Sequence, residues 1–160
     1  MGAEIAYARG DATSPHEPGT KIIAHVCNDA GRWGAGFVMA ISRRWPQPEA
    51  AYRHWHRGRA DNDFALGAVQ LVQTQDDLWV ANMIGQHGIR RHTMAEAPVR
   101  YEAVDQALKM LSRHASVMAA SIHMPRIGCG LAGGRWEKIE PLIAQRLTEQ
   151  GTPVTVYDLQ

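Results

Sequence analysis

The stretch KIIAHVCN, residues 21–28, constrains the fold more than any other part of this chain. Apolar side chains follow one another almost without a break, and only the end turns polar. A strand with one wet face alternates. A near-continuous run suits a strand covered on both faces, as in a parallel sheet between helix layers. DAGRWGAG (29–36) follows as a glycine-rich turn. In FVMAISRRW (37–45), Phe37, Ala40, Ile41 and Arg44 then step around one side of a helix that Pro46 ends.

The same unit returns near the end of the chain. SIHMPRI (121–127) reads as a strand, GCGLAGG as its glycine turn, 137–150 as a helix, and PVTVYDL (153–159) as a closing strand. EIAYARG (4–10) is a first strand, and the two prolines of ATSPHEPGT (12–20) make the next segment a loop. PEAAYRHWHRG (48–58) is a second helix, with Pro48 near its first turn and Gly58 as its cap. LGAVQLVQT (66–74) and DDLWVANMIGQ (76–86) form the best hairpin in the chain. HGIRRHTMAEAP (87–98) is polar and irregular, and Pro98 opens a long amphipathic helix over 99–118. The order predicts a three-layer α/β/α domain with a mixed, mostly parallel central sheet, one domain over 1–160.

The totals narrow the function classes. A chain of 160 residues holds one sizeable core. Its formal net charge of +1, without a long basic run, argues against an electrostatic grip on nucleic acid. The basic cluster RHWHRGR (53–59) reads as a solvated helix end. Cys27 and Cys129 lack CxxC spacing, so a reducing compartment is expected. The start MGAEIAYARGD has no apolar leader, Ala6 breaks a myristoylation signal, and no run of about 18 apolar residues exists. A cytoplasmic protein with no membrane partner is expected. His54 and His56 point to different helix faces, and His87 and His92 lack a Cys or carboxylate at ligand spacing. Neither a metal nor a cofactor is expected.

Both glycine turns sit at the carboxyl ends of strands and lead into helices, where ligands of open α/β sheets bind. Helix amino ends offer free N–H groups, and glycine lets the backbone approach an anion closely. Two such turns in one small domain suit a pyrophosphate clasped between loops. Neither matches GxxxxGK[ST] or GxGxxG, so triphosphate and dinucleotide-redox readings lack their signature. Cys129 and Arg135 have the C-x5-R spacing of a cysteine phosphatase loop. Ala132 stands where that loop has glycine, and no histidine directly precedes Cys129. The favoured reading has Cys129 filling a gap under the loop, with Cys27 in the core. Ser42, His25 and Asp11 lack the GxSxG turn that would support a triad. Trp45, Trp55, Trp79 and Trp136 read as packing residues.

RGD (9–11), AHVCND…GAG (24–36), MPRIGCGL (124–131) with RWE following, and VTVYDL (154–159) together resemble macro domains. The similar branch holds the terminal ADP-ribose protein glycohydrolase and the macro domain of the chromatin remodeller "amplified in liver cancer". NMIGQ and PVRYEAV are similar to small stand-alone bacterial members. The resemblance implies ADP-ribose, or a group ending in it, as ligand and ADP-ribosylated proteins as partners. It places Asp11 and the Ala12 N–H at the adenine, with Tyr157 nearby. It places Gly34, Ala35, Gly36 and Phe37 on one side of the phosphates, and Gly128, Cys129, Gly130 and Leu131 on the other. Asn28 would approach the distal ribose. Trp33 would line that ribose or pack under its loop. In the glycohydrolase of this branch a lysine follows the strand matching 79–85 and an aspartate follows GCGL; Gln86 and Ala132 stand there in this chain. The lysine route is absent, so hydrolysis of an ADP-ribosyl ester on an acidic side chain needs a positioned water. Gln86 and Asn28 are the residues to orient it, with His87 and Asp29 as titratable helpers. The 86–94 loop reads as a lid that brings Arg90 or Arg91 to a phosphate or a modified protein. The alternatives are a non-catalytic ADP-ribose reader and an ADP-ribose 1″-phosphate phosphatase.

Overall fold

Strands β1 (Ala6–Arg9), β2 (Lys21–Asn28), β3 (Val69–Gln75), β4 (Leu78–Gln86), β5 (Ser121–Met124) and β6 (Val154–Asp158) build one sheet in the order β1-β6-β5-β2-β4-β3. The computed structural model describes residues 4–89 and 96–159. Every neighbouring pair is parallel except β3–β4, the expected hairpin. The helices are α1 (Phe37–Arg44), α2 (Gln47–Arg57), α3 (Tyr101–Met118) and α4 (Trp136–Arg146).

β2 is buried on both faces, as its apolar run requires. Ile22 and Ala24 enter one core with Val104, Leu108 and Leu111 of α3 and Ile139 and Ile143 of α4. Ile23 and Cys27 enter the opposite core with Ile41 of α1 and Tyr52 and Trp55 of α2. β4 splits the same way, with Ala81 and Met83 on one side and Val80 and Ile84 on the other. The three layers follow from that double burial. Each fully buried Ile or Leu contributes about 1.5–3 kcal/mol of transfer free energy. At Gly85 the α3 layer comes so close that a methyl group would meet Val104 Cγ2 at 2.8 Å.

Most boundaries shift by one to four residues from those read in the sequence, and three of the shifts have a visible cause. β5 ends at Met124 because Pro125 has no N–H to donate to the sheet. α3 begins at Tyr101 because residues 98–100 are committed elsewhere. Pro98 O accepts from His87 N at 2.8 Å, Val99 N donates to Ala132 O at 2.9 Å, and Arg100 N donates to Gly85 O at 2.8 Å. These bonds stitch the end of β4 to the 128–134 turn. α4 stops at Arg146, and a 3₁₀ turn at Thr148–Gln150 completes the segment before Gly151 turns the chain at φ 88°.

The topology positions the site. β2 and β5 are neighbours, so the turns that follow them stand side by side at one edge of the sheet. The end of β1 lies to one side of them and the end of β4 to the other. From β1 to β4 is four inter-strand spacings, about 19 Å at about 4.8 Å each.

Candidate functional site

A cavity of about 490 Å³ runs along this edge. Asp11, Ala12 and Tyr157 line it at the β1–β6 end, and Gln86 lines it at the β4 end. Between them, Ala35, Gly36 and Phe37 face it from one turn and Gly128, Gly130 and Leu131 from the other.

The middle of the cavity is a backbone device. Among the described residues, the N–H groups of Ala35, Gly36 and Phe37 meet no protein acceptor, and neither do those of Gly130 and Leu131. Phe37 opens α1, so the partial positive charge of a helix amino end adds to those donors. Gly36 caps that helix at φ 85° and ψ −148°, a conformation other residues adopt only under strain. A Cβ built on Gly36 would lie 3.5 Å from Leu131 Cδ1, so the two turns nearly meet. Gly128 has no room for a side chain: a Cβ there would meet Ile139 Cδ1 at 2.7 Å. Gly130 faces open space.

At the β1 end, Asp11 Oδ1 accepts from Thr13 N at 2.8 Å and Thr13 Oγ1 at 2.7 Å. Arg44 Nη2 donates to Asp11 Oδ2 at 3.2 Å. Partial burial pushes this carboxyl up, but the Thr13 bonds and the Arg44 charge outweigh it and hold it below the ordinary carboxylate range. The Ala12 N–H meets no acceptor among the described residues. The Tyr157 hydroxyl is 2.7 Å from His123 Nδ1, and His123 Nε2 is 2.8 Å from Ser121 Oγ. Burial, with the Lys21 charge, pushes His123 down to about 4, so it is neutral at pH 7.

At the β4 end, Gln86 Nε2 donates to Gly88 O at 2.9 Å. That bond leaves Oε1 without a protein donor among the described residues. Ala132 lines the cavity too, and adds no polar side-chain atom. His25 forms part of the floor, with Nε2 2.5 Å from Asn82 Oδ1. Asn82 Nδ2 donates to Pro48 O and Gln70 Oε1, so Oδ1 accepts and His25 carries its proton on Nε2. Burial pushes His25 down to about 4 and keeps it neutral.

Four expected site residues are not brought to the cavity lining. Asn28 Oδ1 accepts from Ala30 N at 2.9 Å and Arg32 N at 3.2 Å, its Nδ2 donates to Arg32 O at 2.8 Å, and the Tyr52 hydroxyl proton is shared between Asn28 O at 2.6 Å and Oδ1 at 2.9 Å. Its side chain is spent holding its own turn, which removes it as a water-orienting group. Trp33 packs under the turn at 4% exposure, with its indole N–H on Ser42 Oγ at 2.7 Å. Gly34 is exposed on the outside of the turn. Cys129 points its Sγ at Ile127 O, 3.4 Å away, and burial pushes the thiol up, away from a thiolate. Asp29 and His87 bind each other at 2.7 Å outside the cavity lining. Arg90, Arg91 and His92 lie outside the described residues.

Sequence reasoning missed Thr13 and Arg44, which hold Asp11, and gave no role to Arg126 inside MPRIGCGL. Arg126 lines the cavity, pairs with Asp158 at 2.7 and 3.1 Å, and lies over the Tyr7 and Trp136 rings at 5.3 and 5.1 Å. Its place before a glycine turn was the signal available; its aromatic neighbours come from distant parts of the chain.

No family model matches the chain. Mouse chromodomain-helicase-DNA-binding protein 1-like is 32% identical over 164 residues, which span 96% of this chain and 17% of that protein. An ADP-ribose 1″-phosphate phosphatase of Lodderomyces elongisporus is 27% identical over 87% of this chain and 90% of its own. The ADP-ribose glycohydrolase OARD1 of Homo sapiens is 23% identical over 99% of this chain and 93% of its own. The solved structure of a macrodomain protein from Streptomyces coelicolor is 62% identical, with a TM-score of 0.88, over 97% of this chain and 99% of that one. Identity at that level over nearly the whole of both chains means that this chain belongs to the macro domain family.

Proposed function

We propose that the cavity holds ADP-ribose and that the protein hydrolyses the ester joining ADP-ribose to acidic side chains of proteins. The observation that carries the reading is the order of groups along one cavity. A carboxylate stands at one end, two turns with free N–H groups oppose each other in the middle, and an uncharged amide stands at the other end. A purine with an amino group, a pyrophosphate and a terminal sugar present matching chemistry in the same order. The relatives named as an ADP-ribose 1″-phosphate phosphatase and an ADP-ribose glycohydrolase support that ligand.

The pyrophosphate is gripped by backbone N–H groups and the amino end of α1, which is how a chain of net charge +1 accommodates a dianion. The ester then lies at the Gln86 end. Gln86 has no pKa near neutrality and serves by orientation: Gly88 O fixes Nε2, and Oε1 accepts from a water aimed at the ester carbonyl. The substrate's own phosphate takes the proton from that water as it attacks and passes it to the departing ribose oxygen, so the acyl–oxygen bond breaks to give free ADP-ribose and the side-chain carboxyl. Neither cysteine serves as the nucleophile, since burial raises both thiols. ADP-ribosylated proteins are the partners in this reading and the cytoplasm is the place, with one domain over 1–160.

Hydrolysis of ADP-ribose 1″-phosphate is a second reading, favoured by the near full-length likeness to the phosphatase relative. The test uses two substrates. Protein carrying ADP-ribose on glutamate is incubated with the enzyme and free ADP-ribose is followed; ADP-ribose 1″-phosphate is incubated in parallel and phosphate is followed. Free ADP-ribose above the no-enzyme control is the expected result. Phosphate without ADP-ribose release establishes the second reading. Tight binding with neither product makes the protein a reader.

A further inference from the structure

We infer that Arg44 is a positioning residue that makes the cavity select a 6-amino purine over a 6-oxo purine. The inference rests on the ADP-ribose reading above and adds the residue that sets its base preference.

The argument begins with lone pairs. A carboxylate offers about four acceptor sites. Thr13 N and Thr13 Oγ1 occupy two of them on Asp11 Oδ1, and Arg44 Nη2 occupies one on Oδ2. One acceptor site is left, on Oδ2. Arg44 Nε also donates to Thr13 Oγ1 at 2.7 Å, so the Thr13 hydroxyl proton goes to Asp11. Arg44, Thr13 and Asp11 thus close a ring in which every donor direction is assigned. Thr13 is 1% exposed and fixes one corner of that ring. The guanidinium fork reaches both partners from one rigid plane, a fixed geometry that the flexible point charge of an ammonium lacks.

The consequence is chemical. An ionised carboxylate presents only acceptors, so a ligand edge that meets it must donate. The 6-amino group of adenine donates; the 6-oxo group of hypoxanthine or guanine places a second acceptor against Asp11. The adjacent Ala12 N–H serves the neighbouring ring nitrogen only where that nitrogen accepts, which again holds for adenine and fails for the protonated N1 of a 6-oxo purine. Rejection of the oxo base depends on the ionised Asp11 keeping its aim, and Arg44 fixes that aim through its bonds to Asp11 Oδ2 and Thr13 Oγ1.

Arg44 is also the last residue of α1, whose first residue is Phe37 at the phosphate turn. Eight residues at about 1.5 Å each make a rod of about 12 Å. One rigid element therefore carries the phosphate donors at one end and the base-positioning arginine at the other. The distance between the two recognition points is set by the helix, not by a flexible loop.

The experiment is a ligand–mutant cycle on the full chain. Calorimetry measures ADP-ribose and its hypoxanthine analogue against wild type, Arg44→Met and Arg44→Lys, with thermal melts confirming that each variant is folded. Wild type prefers ADP-ribose by about tenfold to a hundredfold, the worth of a hydrogen bond to a charged group. Arg44→Met brings that preference below about threefold, through weaker ADP-ribose binding, while affinity for the hypoxanthine analogue stays within about threefold of wild type. Arg44→Lys restores part of the preference. Equal weakening of both ligands by Arg44→Met would overturn the inference, because it would mean that Arg44 only supports the fold or the phosphates. Equal wild-type affinity for the two ligands would overturn it as well, and would leave ADP-ribose binding standing. A wild type that binds neither ligand would remove the ADP-ribose reading and this inference with it.

Discussion

Gly130→Glu tests the phosphate cradle most directly, because the structure separates its local effect from its electrostatic one. Gly130 lies on the cavity wall, its φ is outside the left-handed region, and a Cβ there meets nothing within 4 Å. A side chain is accommodated without strain, so the variant folds. Its carboxylate then occupies the space assigned to the pyrophosphate. One unit charge at about 5 Å from another, at an effective dielectric of about 20, is repelled by about 3 kcal/mol. Screening at physiological ionic strength acts on a pocket open to solvent and leaves about 2 kcal/mol for the nearer phosphate. That corresponds to a loss of roughly thirtyfold in ADP-ribose affinity, with the second phosphate adding to it. Gly130→Gln has nearly the same volume without the charge. The comparison between Glu and Gln therefore isolates repulsion from crowding. Calorimetry at two salt concentrations is the assay, and the Glu–Gln gap narrows at high salt. ADP-ribose affinity unchanged in a folded Gly130→Glu protein refutes the two-turn cradle.

Other perturbations read the remaining parts of the site and the fold. Gln86→Ala slows ester cleavage by about a hundredfold and weakens ADP-ribose binding by under about fivefold, measured by single turnover and calorimetry; equal losses in both would make Gln86 a binding residue. Cys129→Ser keeps turnover within about twofold, since its Sγ faces Ile127 O and not the cavity; complete loss of turnover would restore a thiolate mechanism. Asp105 pairs with Arg146 at 2.8 and 3.0 Å, and that bond holds its carboxyl below the ordinary value. A lowered folded-state pKa gives stability that is full above the unfolded pKa and lost as pH falls through the folded one. Urea melts of wild type and Arg146→Met thus differ slightly at pH 7, as suits so exposed a pair, and converge in acid; a gap that persists below the folded pKa would assign it to packing of the Arg146 stem.

The parts of the site built from backbone were legible in the sequence, and the parts built from side-chain direction were not. Glycine placement records where a chain must turn tightly or come close to something, so GAG and GCGLAGG mark both walls of the cavity. The run KIIAHVCN announced the doubly covered strand that sets the walls side by side. Asn28 shows where such reading stops. Its position at a strand end is right for a ligand contact, but a short amide there also bonds the backbone two and four residues on, and Tyr52 then supplies another donor. Which of these wins depends on α2, whose register against β2 has no local sequence signal. Trp33 follows the same logic, since Ser42 of α1 captures its indole N–H. Arg44 is the converse case. It stands 33 residues from Asp11, at the exposed end of a helix, where an arginine reads as a solvated charge. Only the packing of α1 against the 10–13 turn converts that charge into a partner of Asp11 and Thr13. The backbone donors of the two turns can therefore be read from spacing, while the pairing that holds Asp11 waits on tertiary packing. For that reason the ligand–mutant cycle at Arg44 tests what the sequence leaves unwritten, and Gly130→Glu tests what it states.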